Sequence, residues 1–270
     1  MSDHPSPSGK LIVSCDGPIT TITLNRPECH NALDIELSAE LNRAVKDVNV
    51  DRDCRILVIR GAGETFCAGD DIKEFSTWSN GGQDIGMWQI RQYQETANLI
   101  DNLRPVTIAA VDGVCTGGGL ELTLCCDFVI ATGRSRWGMP EINWAITPGW
   151  GGTARLTKFA GRRKAKEWNL LGALFSAETA ARNNLVNRLC EPEALDAELD
   201  SLIEVLLDKS PGSLLCTKYF LDKGADLENA SSLIFEGAPP REIFGEGVAA
   251  FVEKGTRDER RRLVMSFWQD

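Results

Sequence analysis

Two short apolar runs, RILVIR at Arg55–Arg60 and VTIAAV at Val106–Val111, each end at a glycine-containing turn, and the segment between them is long enough for a helix. Runs of this length bounded by turn residues read as strands buried on both faces, which a sheet achieves when helices cover it. The intervening segment places Ile90, Tyr93, Ala97 and Ile100 on one helical face. Upstream, Leu11–Cys15 and Ile19–Leu24 alternate about Asp16-Gly17-Pro18, the pattern of a hairpin. Leu37, Leu41, Val45 and Val48 then keep helical spacing behind a cap at Asp34. Strands separated by helix-length segments predict an α/β fold of ββα or βαβ units around parallel sheets. From about residue 160 the pattern becomes mostly helical, with a stripe at Leu195, Leu199, Leu202 and Leu206, and Arg257–Arg262 reads as a solvated helical end. The first nine residues, polar and rich in Pro and Ser, read as a flexible tail, and no repeat of fixed period is visible.

Composition removes several kinds of chemistry. Of 270 residues only two are histidines, His4 and His30, so a Ser-His-Asp triad or a His-rich metal site would rest on His30 alone. Acid–base work falls to carboxylates. Nine cysteines contain no CxxC pair, which disfavours a zinc site or disulfide framework and fits reduced thiols in the cytoplasm. A net charge of −10 argues against a general nucleic-acid or membrane-surface binder, while a local basic pocket for a phosphorylated ligand stays open. There is no apolar run of membrane-spanning length and no signal-peptide-like core at the start.

Three stretches carry candidate chemistry. In GVCTGGGLE, Gly117–Gly119 follow a strand and turn and lead into an apolar helix, leaving backbone N–H groups bare at its N-terminus with Glu121 in the first turn. Such a site holds an anion or an oxygen that becomes anionic; the plainer reading is tight packing beside a dipole-matched surface carboxylate. In TFCAGDDI, the Ala68-Gly69 turn follows the strand at 55–60 and offers a second N–H donor, or is an ordinary βα loop. In GMPEINWAITPGWGGT, Glu141 has Ile142, Trp144, Ile146 and Trp150 as neighbours, which would raise its pKa, unless it is simply an exposed loop-start carboxylate. Gly61-x-Gly63 lacks the third glycine of a dinucleotide fingerprint, and no GK[ST] completes a P-loop. Two donor loops and two glutamates together suit enolate chemistry.

The ordered series NRPECHNAL, FCAGDDI, GGGLE, PEI and PGWGGT resembles the enoyl-CoA hydratase/isomerase (crotonase) family, over Leu11 to Phe251. The resemblance implies a spiral of ββα units over residues 10–194, after a tail at 1–9, and a C-terminal helical region at 195–270 that builds homotrimers, commonly paired into hexamers. It implies that Glu121 and Glu141 are the catalytic glutamates and that Ala68 and Gly118 supply the oxyanion-hole N–H groups. Substrate contacts carried over with the motifs are His30 and Ala32 toward the CoA moiety, with Gly69, Asp70, Asp71, Ile72, Gly117, Pro140, Trp144 and Gly149 lining the rest. No separate cofactor or metal is implied, since coenzyme A is part of the acyl-CoA substrate. The implied reaction is addition of water across the 2,3 double bond of an enoyl-CoA thioester.

Two departures widen the reading. Asp70 stands where the family commonly has a small residue. EINWAI resembles the hydroxycinnamoyl-CoA hydratase-lyases, although those tend to lack the glutamate that Glu121 provides. A hydratase-lyase or isomerase acting on an aromatic, cyclic or other bulky acyl-CoA is therefore the alternative; Trp78, Trp88, Trp144 and Trp150 either serve core packing, the commoner use of large aromatics, or line its pocket. RNA binding, found in some members, is the reading from another class, and the acidic balance argues against it.

Overall fold

The computed structural model describes residues 2–74 and 83–224. Trp78 and the Arg257–Arg262 end lie outside the described residues. The chain divides into two compact units, Met1–Glu204 and Val205–Asp270.

The larger sheet is built from seven strands. In chain order they are β1 (Ser2–Pro5), β2 (Leu11–Asp16), β3 (Ile19–Leu24), β4 (Ile56–Gly61), β5 (Val106–Val111), β7 (Phe128–Thr132) and β10 (Arg188–Cys190), and they neighbour one another in that same order. The first three pair antiparallel and the rest parallel. The hairpin at Asp16-Gly17-Pro18 and the buried strands β4 and β5 match the sequence pattern. Helix α1 (Ile35–Val50) begins where Asp34 accepts a hydrogen bond from the Leu37 N–H, and its Leu37, Leu41 and Val45 are buried with Ile22, Leu24, Leu57 and Ile59 in one core. Helix α2 (Gln83–Asp101) buries Tyr93, Ala97 and Ile100 in the same core.

The N-terminal segment is not a free tail. Ser2–Pro5 adds to the sheet edge beside β2, and the Ser6 and Ser8 hydroxyls with the Ser8 N–H all donate to the buried Glu40 carboxylate. Backbone pairing and one buried acceptor outweigh a sequence with little strand propensity.

A second, smaller sheet positions the site. Its strands are β6 (Val114–Thr116), β8 (Arg136–Gly138) and β9 (Phe175–Ser176); β6 and β8 run parallel with Cys115 beside Trp137. Cys67 joins the same row through a parallel bridge to Cys115. Cys67, Cys115 and Trp137 therefore sit side by side on three successive β-layers of the chain. Beyond the carboxyl end of that row the chain emerges three times: at Ala68-Gly69-Asp70, at Gly117-Gly118, and at Pro140-Glu141. α3 (Gly118–Thr123) starts at the second exit. It is one and a half turns long, shorter than the apolar run suggests, because residues after it return as β7 to pair with β5. Helices α4 (Gly152–Leu171), α5 (Ala177–Arg182) and α6 (Leu195–Leu207) follow, with Leu195, Leu199, Leu202 and Leu206 buried as the stripe predicted, and then α7 (Pro211–Gly224). Among the described residues no helix is long and apolar enough to cross a membrane.

Candidate active site

The three exits bring three carboxyl groups around the glycine-rich start of α3. Glu121, 1% exposed, points back along its own helix, and its Oε1 accepts hydrogen bonds from the backbone N–H groups of Trp150 (3.0 Å) and Gly152 (2.6 Å). A side chain at residue 152 would collide with Glu121, since a Cβ there would lie 2.5 Å from its Cγ. The second oxygen, Oε2, is buried without a hydrogen-bond partner among the described residues.

Glu141 opens a 3-10 turn over Glu141–Trp144, with Pro140 before it. Neither of its buried carboxyl oxygens has a protein partner. Its burial was expected from flanking apolar residues, yet Ile142 and Trp144 are exposed, Trp144 at 58%. The carboxyl instead lies against the glycine start, with Oε1 3.3 Å from where a Cβ on Gly117 would be. Gly117 has φ 54° and ψ −128°, a conformation costly for any residue with a side chain, so the backbone and the space beside it both require glycine.

Asp70 is the third carboxyl. Its Oδ1 accepts from the Trp150 indole N–H at 3.0 Å and lies 3.4 Å from the position of a Cβ on Gly118. Trp150 thus binds two carboxyls at once, Glu121 through its main chain and Asp70 through its ring. The ring is fully buried and stacks on Tyr93, with centroids 4.6 Å apart and planes 11° apart. It is a core residue whose edge reaches the site, not the flat acyl-pocket wall that the sequence allowed. Gly149 also lies by Tyr93, its Cβ position 3.7 Å from the ring.

Burial pushes Glu121 up to about 8, reinforced by the charges of Asp70 and Glu141 and opposed by the Gly152 and Trp150 N–H groups. Burial likewise raises Asp70 to about 7; the Trp150 indole N–H opposes this, and Glu141 and Glu74 add to it. Glu141 is raised by burial too. Burial and mutual repulsion push all three carboxyls toward the protonated form, which brings them within reach of acid–base work near neutral pH.

The donors are distributed differently from the expectation. The Ala68 N–H is engaged by the His30 carbonyl at 2.9 Å, so it is turned into the protein. Gly69 N–H faces the Cys67 sulfur, while Asp71 N–H donates to the Leu33 carbonyl. The N–H groups of Asp70 and Gly118 have no acceptor among the described residues. The free N–H of this loop is therefore that of Asp70 rather than Ala68, because the His30 carbonyl takes the Ala68 N–H from behind. Asn31, fully buried, holds that arrangement by donating to the Ala62 and Thr65 carbonyls and accepting from the Arg26 N–H. Arg26 reaches the Ala32 carbonyl at 2.5 Å and the Asp71 carboxylate at 3.2 Å. Asp71 is consequently part of the loop's support, and His30 contributes its backbone. Ile72 is exposed. Trp150, Gly152 and Tyr93 complete the site; the PGWGGT motif marked the first two, and nothing in the sequence tied Tyr93 to it.

Buried carboxyls beside two backbone N–H groups without an acceptor are the arrangement that enolate chemistry requires. The model of the enoyl-CoA hydratase/isomerase family matches residues 15–259, and the chain belongs to that family. A probable enoyl-CoA hydratase of Rhizobium meliloti is 35% identical over 93% of this chain and 98% of its own. The crotonyl-CoA hydratase of Syntrophomonas wolfei is 32% identical, covering 90% and 95%. A putative enoyl-CoA hydratase from Thermobifida fusca, solved in complex with acetoacetyl-CoA, superposes with a TM-score of 0.81 at 28% identity over 88% of this chain and 95% of its own.

Proposed function

We infer that the three-carboxyl site catalyses the hydration of an enoyl-CoA thioester. The protein is an enoyl-CoA hydratase, and the observation that carries the mechanism is the pair of buried glutamates with unpartnered oxygens beside the free N–H groups of Gly118 and Asp70. The thioester oxygen takes those two donors. As a water oxygen bonds to C3, the C2=C3 π pair moves through the thioester to that oxygen, which becomes an enolate held by the two N–H groups. One carboxylate removes the water proton, and a carboxylic acid delivers a proton to C2 as the enolate collapses. Hydrogen bonding divides the roles: the Trp150 and Gly152 N–H groups favour the anion at Glu121, while no N–H of another residue does so at Glu141, so Glu121 is the base and Glu141 the acid.

The enzyme acts in acyl-CoA or fatty-acid metabolism in the cytoplasm, as a trimer or hexamer built through its C-terminal helices. Loss of enoyl-thioester absorbance with crotonyl-CoA tests the chemistry. Glu121→Gln and Glu141→Gln should each lower kcat by about 10²–10⁴ with folding retained. Near-normal turnover in both variants would refute the assignment.

A further inference from the structure

Asp70 has two features that the hydration mechanism leaves unused. Its backbone N–H serves the thioester oxygen, but its side chain is not needed for that. One side-chain oxygen is fixed by the Trp150 indole N–H, and the other has no partner among the described residues. The carboxyl also lies directly over Gly118, 3.4 Å from the vacant Cβ position. That places it beside the residue whose N–H takes the acyl carbonyl in the hydratase reading.

A hydrocarbon chain in that place strips water from a carboxyl and returns nothing, which is costly whether the group is neutral or charged. A hydroxyl is different. It can donate to the carboxylate or accept from the carboxylic acid, so it matches Asp70 in either protonation state. With burial and Glu141 holding this group at about 7, both states are populated near neutral pH. No cation offsets this cluster: among the described residues no Lys or Arg side chain pairs with Asp70, Glu121 or Glu141.

We propose that Asp70 is a specificity-determining residue that selects enoyl-CoA substrates bearing a hydroxyl group close to the reacting double bond. The proposal rests on the hydratase reading and narrows its substrate class. A site built to hydrogen-bond a substrate hydroxyl discriminates strongly against the analogue that lacks it, because the protein group is then left unpaired.

The test compares kcat/KM for two isosteric pairs: 4-hydroxybut-2-enoyl-CoA against pent-2-enoyl-CoA, and 5-hydroxypent-2-enoyl-CoA against hex-2-enoyl-CoA. The wild type should favour the hydroxylated member of at least one pair by roughly ten- to a hundredfold. Asp70→Ala keeps the backbone N–H and should bring that ratio close to one, whatever it does to turnover as a whole. Asp70→Asn retains a polar group in the same shape and should keep part of the preference. A merely structural Asp70 would change both members of a pair alike. Equal use of both members in both pairs by the wild type, or a preference that survives Asp70→Ala, would overturn the proposal and leave the hydratase reading standing. Failure of the wild type to hydrate any of the four thioesters would overturn both.

Discussion

Replacing Glu121 with glutamine should make the fold more stable while disabling the enzyme, and the size of the gain should depend on pH. In the folded protein Glu121 is held at about 8, against an ordinary value of 4.5. A carboxyl raised in this way keeps a proton in the fold that the unfolded chain has already released. Its contribution is fully present below about pH 4.5 and is lost as pH rises toward about 8. Taken alone, that interval corresponds to about 5 kcal/mol. Asp70 and Glu141 share the repulsion, so the three costs do not add, and neutralising any one relieves the others. Glutamine keeps the oxygen that accepts from the Trp150 and Gly152 N–H groups, and its amide replaces Oε2, which has no protein partner. Glu121→Gln should therefore exceed the wild type by about 2–3 kcal/mol at pH 8, and the two should converge near pH 5. For a chain of this size that is about 5–10 °C in Tm. Thermal unfolding of both proteins at the two pH values, with turnover measured in parallel, is the assay. A variant less stable than the wild type at pH 8, or a gap identical at pH 5 and 8, would refute the burial-driven shift.

Gly118→Ala would put a methyl 3.0 Å from the Trp150 Nε1 and 3.4 Å from Asp70 Oδ1, and kcat should fall by about tenfold or more with circular dichroism unchanged; full turnover would place the reacting oxygen elsewhere. Trp150→Phe keeps a ring to stack on Tyr93 but removes the N–H that favours ionised Asp70, so Asp70 should titrate above about 7 and the kcat/KM profile for a hydroxylated enoyl-CoA should move to higher pH; an unmoved profile would show that Asp70 does not meet that hydroxyl. Light scattering should give a mass of three or six chains, and a clean monomer at micromolar concentration would contradict assembly through the C-terminal helices.

The parts legible in the sequence were those in which local pattern and tertiary role coincide. Asp34 caps α1 in the structure as its spacing predicts, and VTIAAV is a strand buried along its whole length. The small sheet was not legible because VCT, RWG and FS are too short to show any alternation, and their pairing is fixed by neighbours distant in the chain. The three site exits come from one register row, yet they are unequally spaced in sequence, so no repeat is visible. Burial of Glu141 was anticipated with the wrong neighbours, since Ile142 and Trp144 face outward and Gly117 provides the contact. That the Asp70 N–H rather than the Ala68 N–H is left open is hidden in the sequence for a similar reason. Which N–H remains free depends on the His30 carbonyl behind the loop, and motif spacing carries no trace of that bond.

The three glycines before Glu121 each leave out a Cβ for a different neighbour. A Cβ at Gly119 would lie 2.2 Å from the Cys67 carbonyl oxygen, so this glycine lets α3 seat against the first exit strand. At Gly118 the space is occupied by the Trp150 indole and Asp70, and at Gly117 by Glu141. Packing and chemistry are therefore not rival readings of GGGLE. The close seating at Gly119 holds α3 at the row where Cys67 and Cys115 pair, and only from there can bare N–H groups at Gly118 and Asp70 face the same space. The return of the chain as β7 keeps α3 short, but the helix needs only to carry Glu121 one turn past its start, where Trp150 and Gly152 N–H groups meet it. A longer or stiffer helix built on alanines would fill the places that the carboxyls occupy. The destabilisation visible in the raised carboxyl pKa values is thus a direct result of the backbone geometry that leaves the donors open.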